Sequence, residues 1–220
     1  PNARSRLPRM QTRPAKVLII GLTGLGLAAL VCGFAYIKND TTGLPLKWPP
    51  GTIPMQVYAQ NASTLTDGNT QASSIQAAMQ NPSRGWNQYL GDEQFTSQIL
   101  AVGGSGLDGN GINEIFFAAN VYGMPFDTDG TLAVTTDWYR SNRRVEGDII
   151  FNTAYPWDSY RGNLRGGNVY DLQRVGLHEL GHVLGLDHPD EAGQTVNAIM
   201  NSHASNTDSL TADDIAGAQS

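Results

Sequence analysis

A single cysteine, Cys32, leaves this chain without an internal disulfide framework, and nothing in it requires an oxidising compartment. No internal repeat and no long low-complexity tract is present, which excludes solenoid and fibrous architectures. Histidine is scarce: four in 220 residues, none before His178. Positive charge is scarce outside the first sixteen residues. Arg4, Arg6, Arg9, Arg13 and Lys16 stand there without an acid, whereas the rest of the chain has nine basic and twenty acidic residues. So acidic a body argues against nucleic acid as a partner. The length suggests one domain plus extras.

One long hydrophobic run is present. Val17–Ile37 is 21 uncharged, mostly apolar residues, enough to cross about 30 Å of hydrocarbon as a helix. Two readings compete. One is a single-span anchor, with residues 1–16 held in the cytoplasm by the positive-inside rule and the body outside. The other is a cleaved signal peptide. The run is long for a signal core and no clear cleavage site follows, which favours the anchor. Cys32 then reads as an apolar filler, since the bulky Val31 before it does not suit a lipidation site. The spaced Gly21, Gly24, Gly26 and Gly33 could mark close helix packing, weak support for a dimer. Residues 38–50, with Gly43, Pro45, Pro49 and Pro50, read as a linker, and the globular part is expected over residues 51–220.

The chemistry is concentrated in one stretch. His178-Glu179-Leu180-Gly181-His182-Val183-Leu184-Gly185-Leu186-Asp187-His188 reads H-E-x-x-H-x-x-G-x-x-H. Two His residues four apart on a helix share a face and can reach one ion. Six residues is a poor helical repeat, so His188 cannot continue that face. Gly185 can take a left-handed conformation, end the helix and return the chain, and Pro189 prevents its extension. Three imidazoles with a fourth position left for water suit Zn2+. Glu179 lies beside the first ligand and is placed to act as general base, then general acid, in peptide-bond hydrolysis. The full pattern arises by chance in a chain of this size roughly once in 100,000.

Around it, Met55–Ala59, Ile99–Val102, Ile112–Ala119, Leu132–Thr136 and Asp148–Phe151 read as strands. Gly68–Met79 has helical spacing. The metal helix is expected to start at a cap of Asn168 or Asp171, with Leu177, Leu180 and Leu184 as its core stripe. A last helix is expected after a Thr211 or Ser209 cap, with Asp213 and Asp214 favourable in its first turn.

The long motif, with Ala198-Ile199-Met200 downstream as a Met-turn, resembles the metzincin zinc metalloproteases. Lys47-Trp48-Pro49, Leu132–Thr136, Gly147–Asn152 and Leu210–Gly217 narrow the resemblance to the matrixin branch, over roughly residues 46–220. The resemblance implies an α+β, matrixin-like zincin fold: a twisted, mostly parallel five-stranded sheet with an active-site helix and a C-terminal helix. It implies that Leu132–Thr136 is a cleft edge to which a substrate peptide adds as a strand. It also implies that Met200 lies beneath the zinc ligands as a packed floor.

The departures from the animal enzymes matter too. With no His before His178, the second, structural zinc of those enzymes is not expected, and the sole Cys offers no cysteine switch. Asn201-Ser202-His203 replaces their Pro-x-Tyr, so side-chain preference does not carry over. These features resemble a bacterial-type matrixin, and the start at Pro1 and the short closing segment suit a fragment.

Weaker candidates remain open. Asp108 and Asn110 in one loop, and Asp127 and Asp129 in another, could bind Ca2+ or form ordinary turns; neither loop has EF-hand spacing. His203 could face the zinc or be exposed. Trp157 and Tyr160 could line a binding surface or anchor a loop.

The sequence therefore reads as a zinc-dependent endopeptidase, membrane-anchored or secreted, acting on extracytoplasmic proteins or peptides. The competing reading is a non-catalytic, zinc-stabilised extracellular binding module. There Asp187 or Asp190 would close the metal site.

Overall fold

The computed structural model describes residues 33–101, 103–104, 106–126, 130–167 and 169–220. The basic arm, the apolar run up to Cys32, Asn168, and the Asp127 and Asp129 loop lie outside the described residues. The elements are β1 (Ala35–Tyr36), β2 (Gly51–Tyr58), α1 (Gln71–Gln80), β3 (Glu93–Leu100), β4 (Asn113–Ala118), β5 (Ala133–Arg140), β6 (Arg143–Asn152), β7 (Trp157–Asp158), β8 (Tyr170–Asp171), α2 (Leu172–Leu184), β9 (Leu186–Asp187) and α3 (Ala212–Ala218).

Five strands form one sheet in the order β3-β2-β4-β6-β5. β2 runs parallel to β3 and β4, β4 runs parallel to β6, and only β5 is antiparallel. This is the mostly parallel, α+β sheet that the resemblance implies. The strands alternate faces, as a period of two requires. Ile149 and Phe151 point into the main core, while Ile150 joins Phe116 and Val121 in a small cluster on the other face. α1 and α2 cover the main face. Ile75, Ala78 and Met79 from α1 and Leu177, Leu180 and Val183 from α2 are buried against Ile53, Met55, Val57 and Ile115. Each of the Val, Leu, Ile and Met side chains among them contributes about 1.5–3 kcal/mol relative to exposure.

The helix boundaries follow local chemistry. Thr70 and Ser73 form a reciprocal capping box at the start of α1. Asp171, one of the two expected caps, begins α2, and its side chain accepts from the Gln173 N–H. Thr211 caps α3 with Asp214 as its reciprocal partner. β3 departs from expectation. It starts at Glu93, well before Ile99, because it is an edge strand whose polar side chains face solvent and carry no apolar alternation.

Two segments before Gly51 pack on the body. The end of the expected membrane run belongs to the body: Ala35–Tyr36 pairs antiparallel with Leu186–Asp187. The Ile37 N–H donates to the Gly185 carbonyl at 2.8 Å, Tyr36 Oη donates to the Gly217 carbonyl at 2.9 Å, and the Gly33 N–H donates to Asp213 Oδ1 at 2.7 Å. Backbone paired this way is extended, so these residues are not part of a spanning helix. Among the described residues no helix is long and apolar enough to cross a membrane.

Residues 38–50 form a strap along the body. Lys38 bridges Pro45 and Lys47 bridges Arg143. Leu46 is buried, Asn39 Nδ2 donates to the Ser141 carbonyl at 2.6 Å, and Trp48 Nε1 donates to the Val183 carbonyl at 2.7 Å. The prolines that break regular structure here do not release the chain from the surface, because its side chains and backbone groups find partners on α2 and the β5–β6 hairpin.

Candidate metal centre

α2 places His178 and His182 one turn apart on one face, and Gly185 then reverses the chain. Its φ is 105°, the left-handed conformation expected of it, and its N–H closes the helix on the carbonyls of Gly181 and His182. A side chain at that position would also meet the Leu46 carbonyl at 2.6 Å. The reversed chain pairs as β9 with β1, which carries His188 back over the helix.

The three Nε2 atoms converge. His182 is 3.0 Å from both His178 and His188, and His178 is 3.2 Å from His188. Tetrahedral zinc with Zn–N bonds of about 2.0–2.1 Å needs nitrogens roughly 3.3 Å apart, so the donor set fits that ion. The remaining ring nitrogens are held elsewhere. His178 Nδ1 is 2.8 Å from the Ile199 carbonyl, His182 Nδ1 is 2.8 Å from the Leu186 carbonyl, and His188 Nδ1 is 3.3 Å from Glu191 Oε2. Such partners fix ring orientation and leave Nε2 to the metal. Burial lowers the pKa of His178 and holds that of His182 well below the ordinary range; the other two imidazoles add to the His182 shift. Both rings are thereby kept neutral, the form that binds metal.

Glu179 is buried beside the first imidazole and accepts a 2.7 Å hydrogen bond from Thr135 Oγ1 of β5. Met200 is buried beneath the helix. A Cβ on Gly181 would come within 2.2 Å of the Met200 Sδ, so only glycine lets α2 settle on that floor. Asp214 of α3 holds the Met-turn by accepting from the N–H groups of Ile199 at 3.0 Å and Met200 at 3.1 Å. Trp86, fully buried, donates to the Leu177 carbonyl at 2.8 Å. Sequence reasoning missed Thr135, Trp86 and this use of Asp214. The first-turn acid and capping pattern of α3 were visible, but not what lies across from them.

The secondary candidates separate. His203 is exposed and bonds Ser202 Oγ at 2.9 Å. Asp187 accepts from the His188 N–H and Asp190 from Ser202, and among the described residues neither joins the three imidazoles as a fourth ligand. Trp157 and Tyr160 anchor a loop. Trp157 packs edge-on against Phe151 and donates to the Asn152 carbonyl; buried Tyr160 donates to the Val169 carbonyl under the Arg165 guanidinium. Asn110 caps its own turn, accepting from the Ile112 N–H at 2.7 Å. Asp108 instead joins Glu146 and Asp148 of β6 in a group whose carboxylate oxygens lie within 4.8 Å of one another. Burial raises the Asp148 pKa to about 8, and Glu146 and Glu114 push the same way against hydrogen bonds from Tyr122 and the Glu114 N–H.

Comparison with known proteins bears on the same stretch. Residues 108–220 match the family model described as matrixin. The chain is 34% identical over 86 residues to human (Homo sapiens) matrix metalloproteinase-15, covering 39% of this chain and 12% of that protein. It is 34% identical over 107 residues to macrophage metalloelastase from Oryctolagus cuniculus, covering 48% and 22%. It is 35% identical over 79 residues to matrix metalloproteinase-16 from Rattus norvegicus, covering 35% and 12%. The matched stretches thus span less than a quarter of the length of these curated relatives.

Proposed function

The chain belongs to the matrixin family of zinc metalloproteases, and from that premise we propose that it is a zinc-dependent endopeptidase acting on extracytoplasmic proteins or peptides. The observation that carries the reading is the convergence of three Nε2 atoms at 3.0–3.2 Å beside the buried carboxylate of Glu179. His178, His182 and His188 would hold the metal. Zinc bound there supplies a Lewis acid and lowers the pKa of a coordinated water to about 7. Glu179 takes the proton of the attacking water at a carboxylate oxygen. As the water oxygen bonds to the scissile carbon and the C–N bond breaks, the same carboxyl returns the proton to the departing nitrogen. Among the described residues β5 is an edge strand paired with β6 alone, which supports its use as the strand to which a peptide substrate adds.

The test uses the 220-residue chain with casein or gelatin, with and without a zinc chelator, beside Glu179→Ala. Chelator-sensitive cleavage that disappears in the variant while one zinc per chain is retained is expected. Zinc held by both proteins with no cleavage of broad peptide libraries by either would instead favour the binding-module reading.

Delivery outside the cytoplasm is part of the proposal. With Gly33 onward in the body, Val17–Cys32 would reach about 24 Å as a helix, less than the roughly 30 Å of a bilayer core. Either retention as a short anchor or cleavage suits that length, and N-terminal sequencing of the fractionated native protein separates them. For calcium, the Asp108, Glu146 and Asp148 group is better supported than the Asp108–Asn110 loop alone, because Glu146 and Asp148 are buried and repel each other. Added Ca2+ should then raise the melting temperature above pH 8, where Asp148 would otherwise ionise without compensation; no rise there counts against a calcium site.

A further inference from the structure

We propose that Thr135 is the positioning residue for the general base Glu179, a role that rests on the endopeptidase reading above. The two residues are 44 apart in the chain, and β5 brings them together. Thr135 pairs with Ile149 in the β5–β6 ladder. Its Oγ1 lies 2.7 Å from Glu179 Oε2 and 3.2 Å from the Glu179 backbone carbonyl. A hydroxyl has one proton to donate, and the shorter, charge-assisted contact to the carboxylate takes it.

The geometry gives this bond a consequence. A Glu side chain has three rotatable bonds, and a base that wanders by about an ångström loses rate steeply. Hydrophobic contacts do not fix the rotation of a carboxylate; a directed donor on one oxygen does, leaving the other oxygen for the attacking water. The donor sits on a strand, a rigid element, and on the strand at the edge of the sheet. The element proposed to align the peptide therefore also aligns the base, so that substrate backbone and proton acceptor share one frame. A methyl at this place would hold the packing and lose the direction.

The experiment compares the zinc-loaded parent chain with Thr135→Val and Thr135→Ser. Valine keeps the shape without the hydroxyl, and serine keeps the hydroxyl. Thr135→Val should lower kcat by about 10- to 100-fold, with KM within about twofold and zinc content unchanged. Thr135→Ser should restore kcat to within about threefold of the parent. Crystal structures of parent and Thr135→Val give a readout apart from activity: Glu179 should hold one rotamer in the first and leave it in the second. A valine variant as fast as the parent, a loss confined to KM, or a Glu179 that keeps its rotamer without the hydroxyl overturns the role of Thr135 alone. A parent that holds zinc and cleaves nothing overturns the endopeptidase reading and this role with it.

Discussion

Among the described residues lie two groups of three potential metal ligands, and they are built in opposite ways. At the centre on α2, neutral imidazoles face one another, each with its second nitrogen held by a protein oxygen. Neutral imidazoles whose Nε2 atoms converge at 3.0 Å turn three lone pairs to one point, the arrangement a cation fits. On β6, Glu146 and Asp148 sit with Asp108 among donors that already occupy them: the N–H groups of Gly109, Gly111 and Glu114, the Tyr122 hydroxyl and the Trp138 indole. Buried acids this close need either a proton or a cation. The imidazole site offers neutral donors to a cation, whereas the acidic group makes its surroundings depend on pH.

The largest effect that would sharpen the contrast is His182→Ala. It should abolish zinc binding at micromolar metal, read by metal analysis of the dialysed protein, and reduce cleavage to background. Glu179→Ala should keep its zinc and lose about 10²–10⁴-fold in kcat; loss of zinc as well would mean that the carboxylate belongs to the ligand set. Gly181→Ala drives a methyl into Met200 and should cost about 1–3 kcal/mol of stability in denaturant titration, recovered in part by adding Met200→Ala.

The acidic group predicts a pH effect of the opposite kind. Asp148 has a folded pKa of about 8, above the ordinary carboxyl value of an unfolded chain. It is protonated in both states below about pH 4 and ionised in both above about pH 8. Its contribution is therefore fully present at the acid end and is lost as pH rises through 8. Asp148→Asn, which cannot ionise, should flatten that part of the stability–pH curve measured without divalent cations, and an unchanged slope would show that the burial does not hold its proton. Smallest is Tyr36→Phe, which removes the hydrogen bond to Gly217 and should cost about 1 kcal/mol with zinc content unchanged.

Much of the site was legible because it is local. The i, i+4 histidines, the glycine that ends their helix and the proline after His188 act over a few residues, where helical geometry alone dictates direction. The caps at Asp171 and Thr211 were legible for the same reason. Hydropathy is ambiguous at Gly33–Ile37: an apolar tail reads alike whether it enters lipid or pairs with β9. The edge strand β3 was nearly silent before Ile99, since its residues there are mostly polar.

By itself, then, the sequence marked the candidate metal ligands, the candidate base, the turn that gathers them and the caps of α2 and α3, all of which depend on near-neighbour backbone geometry. Only the tertiary structure decided that Thr135 faces Glu179, that Asp214 holds the Met-turn, that Asp108 meets Glu146 and Asp148, and that the body begins before the strap. Those contacts join residues far apart in the chain. They exist because sheet register and core packing bring distant elements into contact, and no local pattern encodes that register.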